Sequence, residues 1–192
     1  MIEQRKIATN DRSRVILLVI AAIAFVPLFV AGIVFFFFPA LVPGITTNQG
    51  TLIQPPVQLS GYESVMQGKW AMLISVEAEC DPACERVLYL SRQVRMGLGK
   101  DASRIRRIIL TRGSLTSDFA DLLAREHGRA TIISLDRDAI AVLRNLVTDP
   151  EGNPVVFLMD PNGNIMMYYL CSQGGKPMLD DLKHLLKVSN IG

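Results

Sequence analysis

Two cysteines four positions apart stand in the run Glu79-Cys80-Asp81-Pro82-Ala83-Cys84-Glu85. Two thiols so spaced can form a disulfide, reduce one in a partner, or hold a soft metal. Upstream, Lys69 to Val76 is an apolar run that reads as a strand buried on both faces. Downstream, Cys84, Val87, Leu88, Ser91, Val94 and Leu98 repeat at helical spacing until Gly97 and Gly99 stop the pattern. A thiol at a helix start meets unpaired backbone N–H groups and the positive end of the helix dipole, which favour thiolate.

The spacing constrains the geometry. Within a regular helix, residues four apart have Cβ atoms roughly 5–6 Å apart, whereas a disulfide needs about 3.5–4.5 Å. Cys80 is therefore expected just before the helix, in a bent loop that Pro82 helps to fix. Glu77, Glu79, Asp81 and Glu85 oppose a strongly depressed thiol pKa and draw cations instead. A static structural disulfide, or two reduced core cysteines, fits the same residues.

Other chemistry-bearing residues have plainer readings. His127 beside Gly128 and His184 between Lys183 and Leu185 read as surface residues, without metal-ligand spacing to the cysteines. Cys171, the third cysteine, reads as buried and inert, with a free thiol as the alternative. Met66, Met72, Met159, Met166, Met167 and Met178 offer thioether sulfur, yet most fall in expected strands and read as core filling. Arg104, Arg106 and Arg107 read as an exposed sheet edge or strand start, or else as a docking patch for an acidic partner. There is no Gly-rich phosphate loop, His-Glu-x-x-His helix or Ser/His/Asp arrangement.

The elements that must carry the cysteines alternate along the chain. Arg104–Leu110, Ala130–Leu135 and Pro154–Met159 read as strands, and Ile165–Leu170 as the return strand of a hairpin turning at Asp160-Pro161-Asn162-Gly163-Asn164. Thr116 or Ser117 caps a helix with Phe119, Leu122 and Leu123 inward, and Asp136 caps one with Ile140, Leu143 and Val147 on one face. Pro177 opens a last helix striped by Leu179, Leu182, Leu185 and Leu186. The pattern predicts an α/β sandwich around a mixed sheet.

Ahead of it, Val15 to Phe38 is apolar, and no charge appears between Arg14 and Glu63. About 20 apolar residues span a bilayer, and neither a short apolar region nor a small-residue cleavage motif suggests a cleaved signal. Arg5, Lys6, Arg12 and Arg14 precede the span against Glu3 and Asp11, so this segment accounts for the whole net charge of +2. The positive-inside rule then puts residues 1–14 in the cytoplasm and the remainder beyond the bacterial inner membrane, in the periplasm. Residues 39–60, rich in Pro, Gly, Thr, Asn and Gln, read as a flexible linker, and 61–192 as one domain. A neutral folded part gives no argument for nucleic acid.

With these features the chain resembles a membrane-anchored thioredoxin-fold protein. The C-x-x-x-C pair at a helix start is similar to that of the Sco/SenC proteins, copper chaperones that assist assembly of cytochrome c oxidase. Gly152-Asn153-Pro154-Val155-Val156-Phe157-Leu158-Met159-Asp160-Pro161-Asn162-Gly163 resembles the G-x-P-x-x-F-L-x-D-x-x-G segment of TlpA/ResA-type oxidoreductases. The resemblance implies a thioredoxin-like sandwich in which a cis Pro154 faces the pair and positions an incoming chain. It implies Cys80 and Cys84 as the reactive residues, a Cu(I) cargo on the same two sulfurs, and an oxidase subunit or another assembly factor as partner. Where Sco proteins carry a histidine ligand, this sequence has Gly152. The resulting expectation is a membrane-tethered, periplasmic thiol-exchange or Cu(I)-handling factor for a heme–copper oxidase. The alternative is a non-catalytic scaffold with a structural disulfide.

Overall fold

The computed structural model describes residues 3–38, 47–62, 64, 68–149 and 154–189. They fall into two units, 1–47 and 48–192, each described by itself.

The first unit is helix α1, Glu3–Phe37. Its stretch Arg12–Phe37 is 26 residues long with a mean hydropathy of 2.9. At 1.5 Å per residue it reaches about 39 Å, enough for the roughly 30 Å hydrocarbon core of a bilayer. Its large side chains stand exposed, Phe29 at 75% and Phe36 at 77%. The expected basic segment and span are thus one continuous helix, with Pro27 inside it.

In the second unit, strands β1 (Thr51–Val57), β2 (Trp70–Val76), β3 (Ile105–Arg112), β4 (Thr131–Leu135), β5 (Val155–Met159) and β6 (Ile165–Leu170) form one sheet in the order β1-β6-β5-β2-β3-β4. Helices α2 (Pro82–Gly97), α3 (Ser117–His127), α4 (Arg137–Asn145) and α5 (Lys176–Val188) accompany them. β2, β3 and β4 run parallel, joined by α2 and α3 as crossovers, while β5, β6 and β1 add antiparallel. Central β2 buries every residue but Ser75, as its unbroken apolar run requires.

Alternation along β2 divides the core. Trp70, Met72, Ile74 and Val76 face a cluster built with Cys84, Val87 and Leu88 of α2, Phe119 and Leu123 of α3, and Leu182 and Leu186 of α5. Ala71 and Leu73 face a second cluster with Ala139, Ile140 and Leu143 of α4. Asp136 caps α4 through a 2.8 Å bond from the Ala139 amide, as expected. In the hairpin turn the Asp160 carboxylate accepts from the amides of Asn162 and Asn164 at 2.8 and 2.9 Å.

Three expectations need correction. The linker expected over 39–60 contains β1, paired along β6 from Thr51↔Tyr168 to Val57↔Ile165. A two-proline segment is tolerated there because an edge strand needs only one ladder of hydrogen bonds. Second, Arg104, Arg106 and Arg107 stand at the start of β3, one of the two places expected, but not at a sheet edge, since β3 sits between β2 and β4. Arg107 is buried, and Arg104 donates to the carbonyls of Leu186 and Ser189 at 2.7 Å each. Third, His127 is buried, its Nδ1 3.2 Å from Arg107 Nη2. His184 is exposed as expected.

Candidate functional site

Cys80 and Cys84 are joined in a disulfide with Cα atoms 5.2 Å apart. The separation is reached because α2 begins at Pro82, which leaves Cys80 in the loop before it. Asp81 is the N-cap, in extended conformation, and Pro82 at the first helical position gives up an amide that would have no helical partner. Asp81 Oδ1 accepts from the Cys84 amide at 2.8 Å, and its carbonyl accepts from the Glu85 amide at 3.0 Å. A carboxylate therefore already occupies the helix end nearest the sulfurs.

The two sulfurs differ in access. Cys84 is buried with Val87 and Leu88, while Cys80 is half-buried against the same cluster. The preceding loop is pinned at Ala78, whose carbonyl accepts from the Thr116 amide at 3.1 Å. Of the four acidic neighbours, Glu77 is taken up by Arg112 and Arg144 at 3.3 and 3.5 Å. Glu79, Asp81 and Glu85 remain exposed around the pair.

Pro154 is half-buried ahead of β5, and its carbonyl accepts from the Cys171 amide at 2.9 Å. Gly152 and the Asn153–Pro154 bond, like Met66, lie outside the described residues, among which the cis bond is Gln54–Pro55. Cys171 is a buried free thiol in the same apolar cluster as Cys84. Burial pushes its pKa up, opposed by the positive charge of Arg86. Met72, Met159, Met167 and Met178 are core residues. Thus Cys80 and Cys84 are brought together, Pro154 is tied to Cys171, and among the described residues no hydrogen bond links Pro154 to the pair. Also among the described residues, no third His, Cys, Asp or Glu gathers with the two sulfurs as a metal-ligand set.

Residues 70–189 match the family model described as the transmembrane-like, thioredoxin-like, C-terminal domain. The chain belongs to that family. Among solved structures it is similar to yeast Sco1, with 14% identity and a TM-score of 0.54 over 66% of this chain and 85% of that one. It is also similar to Arabidopsis thaliana ScoI, a structure with copper bound, with 12% identity and a TM-score of 0.53 over 75% of this chain and 100% of that one. Apo Sco1 from Thermus thermophilus gives 17% identity and a TM-score of 0.51 over 75% and 98% of the two chains. At such identities the likeness establishes the thioredoxin-like fold. No curated protein matches the chain.

Sequence reasoning missed the arginines gathered around His127. Arg92 and Arg95 are three apart on α2 and so share one side of it, while Arg125 and Arg129 flank the end of α3 at Gly128. That spacing was the available signal.

Proposed function

We propose that this family member is a single-pass, membrane-tethered thiol–disulfide exchange factor whose thioredoxin-like unit works in the periplasm on a subunit or assembly factor of a heme–copper oxidase. The observation that carries the reading is the Cys80–Cys84 disulfide at the N-terminus of α2, with its outer sulfur half-exposed. The charge pattern around α1 supports the orientation, and likeness to Sco proteins supports the oxidase setting.

In the reduced state the Cys80 thiolate attacks one sulfur of a partner disulfide, and the partner's other sulfur leaves as a thiolate. The Cys84 thiolate then attacks the Cys80 sulfur and releases the partner's second thiol. Two electrons pass to the partner and the Cys80–Cys84 bond is left behind. A dithiol protein of the same compartment reverses these steps and restores the pair. The backbone around Pro154 aligns the incoming chain. Cu(I) as cargo requires the same reduced sulfurs, and two thiolates alone make a weaker site than two joined by a third ligand.

Mass spectrometry of trapped complexes tests the reading. Cys84→Ser is expected to accumulate mixed disulfides through Cys80, while Cys80→Ser and the double variant accumulate none. The reading fails if Cys84→Ser traps nothing and the pair's midpoint potential lies below about −300 mV, the range of static disulfides. The scaffold alternative then stands.

A further inference from the structure

The ends of α2 and α3 enclose, with β3, a cavity of about 370 Å³ that the disulfide chemistry does not use. Arg92, Arg95, Arg107, Arg125 and Arg129 line it, and Glu126 is the one acid among its lining residues. The plain account is that basic residues in a last helical turn complement the helix dipole, and Arg95 and Arg125 occupy such turns. The magnitudes do not close that way. Two helix ends carry roughly half a negative charge each, and Glu126 adds one, against five guanidinium charges. About three positive charges remain.

His127 does not change the balance. Burial, then Arg107 and Arg92, lower its pKa to about 4, so the ring is neutral at pH 7. Its Nδ1 accepts from Arg107 Nη2 at 3.2 Å, which fixes the orientation of that guanidinium. Arg107 is 5% exposed and also donates to Ser91 Oγ and the Leu88 carbonyl, each at 3.1 Å. All three partners are neutral. Burial, with repulsion from Arg92 and Arg95, lowers its pKa to about 10, and it stays charged at neutral pH. Arg92 stands 3.7 Å from Glu126. Arg95 donates through Nε to the Ile105 carbonyl at 3.1 Å, and its terminal nitrogens make no hydrogen bond among the described residues. A buried cation without an anion is costly, so the buried Arg107, flanked by the partly exposed Arg92 and Arg95 and the exposed Arg125 and Arg129, makes a cationic patch that an anion would complete.

We propose that this cavity binds a phosphate-bearing anion. Guanidinium forks match phosphate oxygens in pairs, and their charge survives partial burial where an ammonium would lose its proton. The volume lies in the range of small-molecule sites, so it accommodates a phosphate with an attached organic group. That chemistry has two sources, a soluble phosphate ester or the headgroup of an anionic phospholipid.

The experiment takes the full chain in uncharged dodecyl maltoside micelles. Inorganic phosphate and glycerol 3-phosphate are titrated by calorimetry, and phosphatidylglycerol is added to the micelles in a separate arm. The expected result is saturable binding in at least one arm, weakened about tenfold by Arg95→Ala and by Arg125→Ala/Arg129→Ala. Lys176→Ala, elsewhere on the surface, leaves it unchanged. Binding of the soluble phosphates assigns a free ligand, and binding of phosphatidylglycerol alone assigns a headgroup. Because Arg107→Gln risks the fold, the exposed Arg125 and Arg129 carry the decision. No saturable binding in either arm overturns the proposal, as does a loss equal to that caused by Lys176→Ala. So does a polyglutamate peptide that binds where the phosphates do not, which points to an acidic protein partner.

Discussion

Asp81 and Cys84 are joined by a 2.8 Å hydrogen bond from the amide of the second to the carboxylate of the first. The cap that starts α2 therefore also sets the charge beside the disulfide. Its carboxylate stabilises the helix and opposes a thiolate in the reduced pair, so the site gains a rigid geometry and gives up acidity.

Asp81→Asn separates the two effects, because asparagine caps a helix about as well without the charge. The thiol pKa of the reduced pair is expected to fall, because a neighbouring negative charge that opposes the thiolate is removed. The midpoint potential is expected to rise, since stabilised thiolates favour the reduced form. Thiolate absorbance against pH and equilibration with glutathione measure these directions. Asp81→Ala should show the same shift and also cost about 1 kcal/mol of stability. An unchanged thiol pKa in both variants would show that Asp81 acts only as a cap.

His127 gives the fold a pH dependence. Its folded pKa of about 4 lies below the usual 6.5. Above pH 6.5 the ring is neutral in both folded and unfolded chains and contributes no slope. Between 6.5 and 4 the unfolded chain takes up a proton that the folded chain refuses, so stability falls as pH falls. Below 4 the loss levels off, at about 3 kcal/mol at most. Urea unfolding at a series of pH values, followed through buried Trp70, should show this decline. His127→Gln keeps an acceptor for Arg107 and should flatten the curve over that window. A decline of the same size in His127→Gln would assign it to other groups.

Asp181 anchors the strand that composition concealed. Its carboxylate accepts from the amides of Gln49 and Gly50 at 2.8 and 2.9 Å and from Tyr169 Oη at 2.9 Å. Burial and that carboxylate push the Tyr169 pKa upward. Asp181→Ala should cost about 3 kcal/mol, because it strands several donors, and Tyr169→Phe about 1 kcal/mol. Hydrogen exchange should rise first in β1 for Asp181→Ala. Exchange spread evenly over the sheet would instead mean that the carboxylate supports the whole fold.

The same residues show what was legible. The cysteine loop, β2 and the capped α4 were readable because each depends on neighbours within a few positions: Pro82 after Asp81, an unbroken apolar run, Asp136 three before Ala139. β1 was not, since among the described residues it pairs with β6 alone, over a hundred residues on, and Pro55-Pro56 disguise it. The burial of Arg107 was hidden because its partners Ser91 and His127 lie 16 and 20 residues away, on two helices. Asp181 sat between leucines of an amphipathic stripe, and only the position of Gly50 explains why a carboxylate is buried there.

The placement of the membrane helix bears on all of the thiol chemistry. Arg12–Phe37 is apolar, and the basic residues of the first fourteen positions precede its apolar core. In the proposed orientation these residues stay in the cytoplasm, as the positive-inside rule favours, and whatever follows α1 is carried across the membrane. An alkaline phosphatase fused after residue 60 should therefore be active, because that enzyme requires disulfides that form outside the cytoplasm. Substituting Arg5, Lys6, Arg12 and Arg14 by Gln removes the asymmetry and should lower that activity, with a cytosolic reporter at the same joint gaining in proportion. An inactive phosphatase fusion to the unaltered chain, paired with an active cytosolic reporter, would place Cys80 and Cys84 in a reducing compartment. Their disulfide would then be transient, and exchange with periplasmic partners would be excluded.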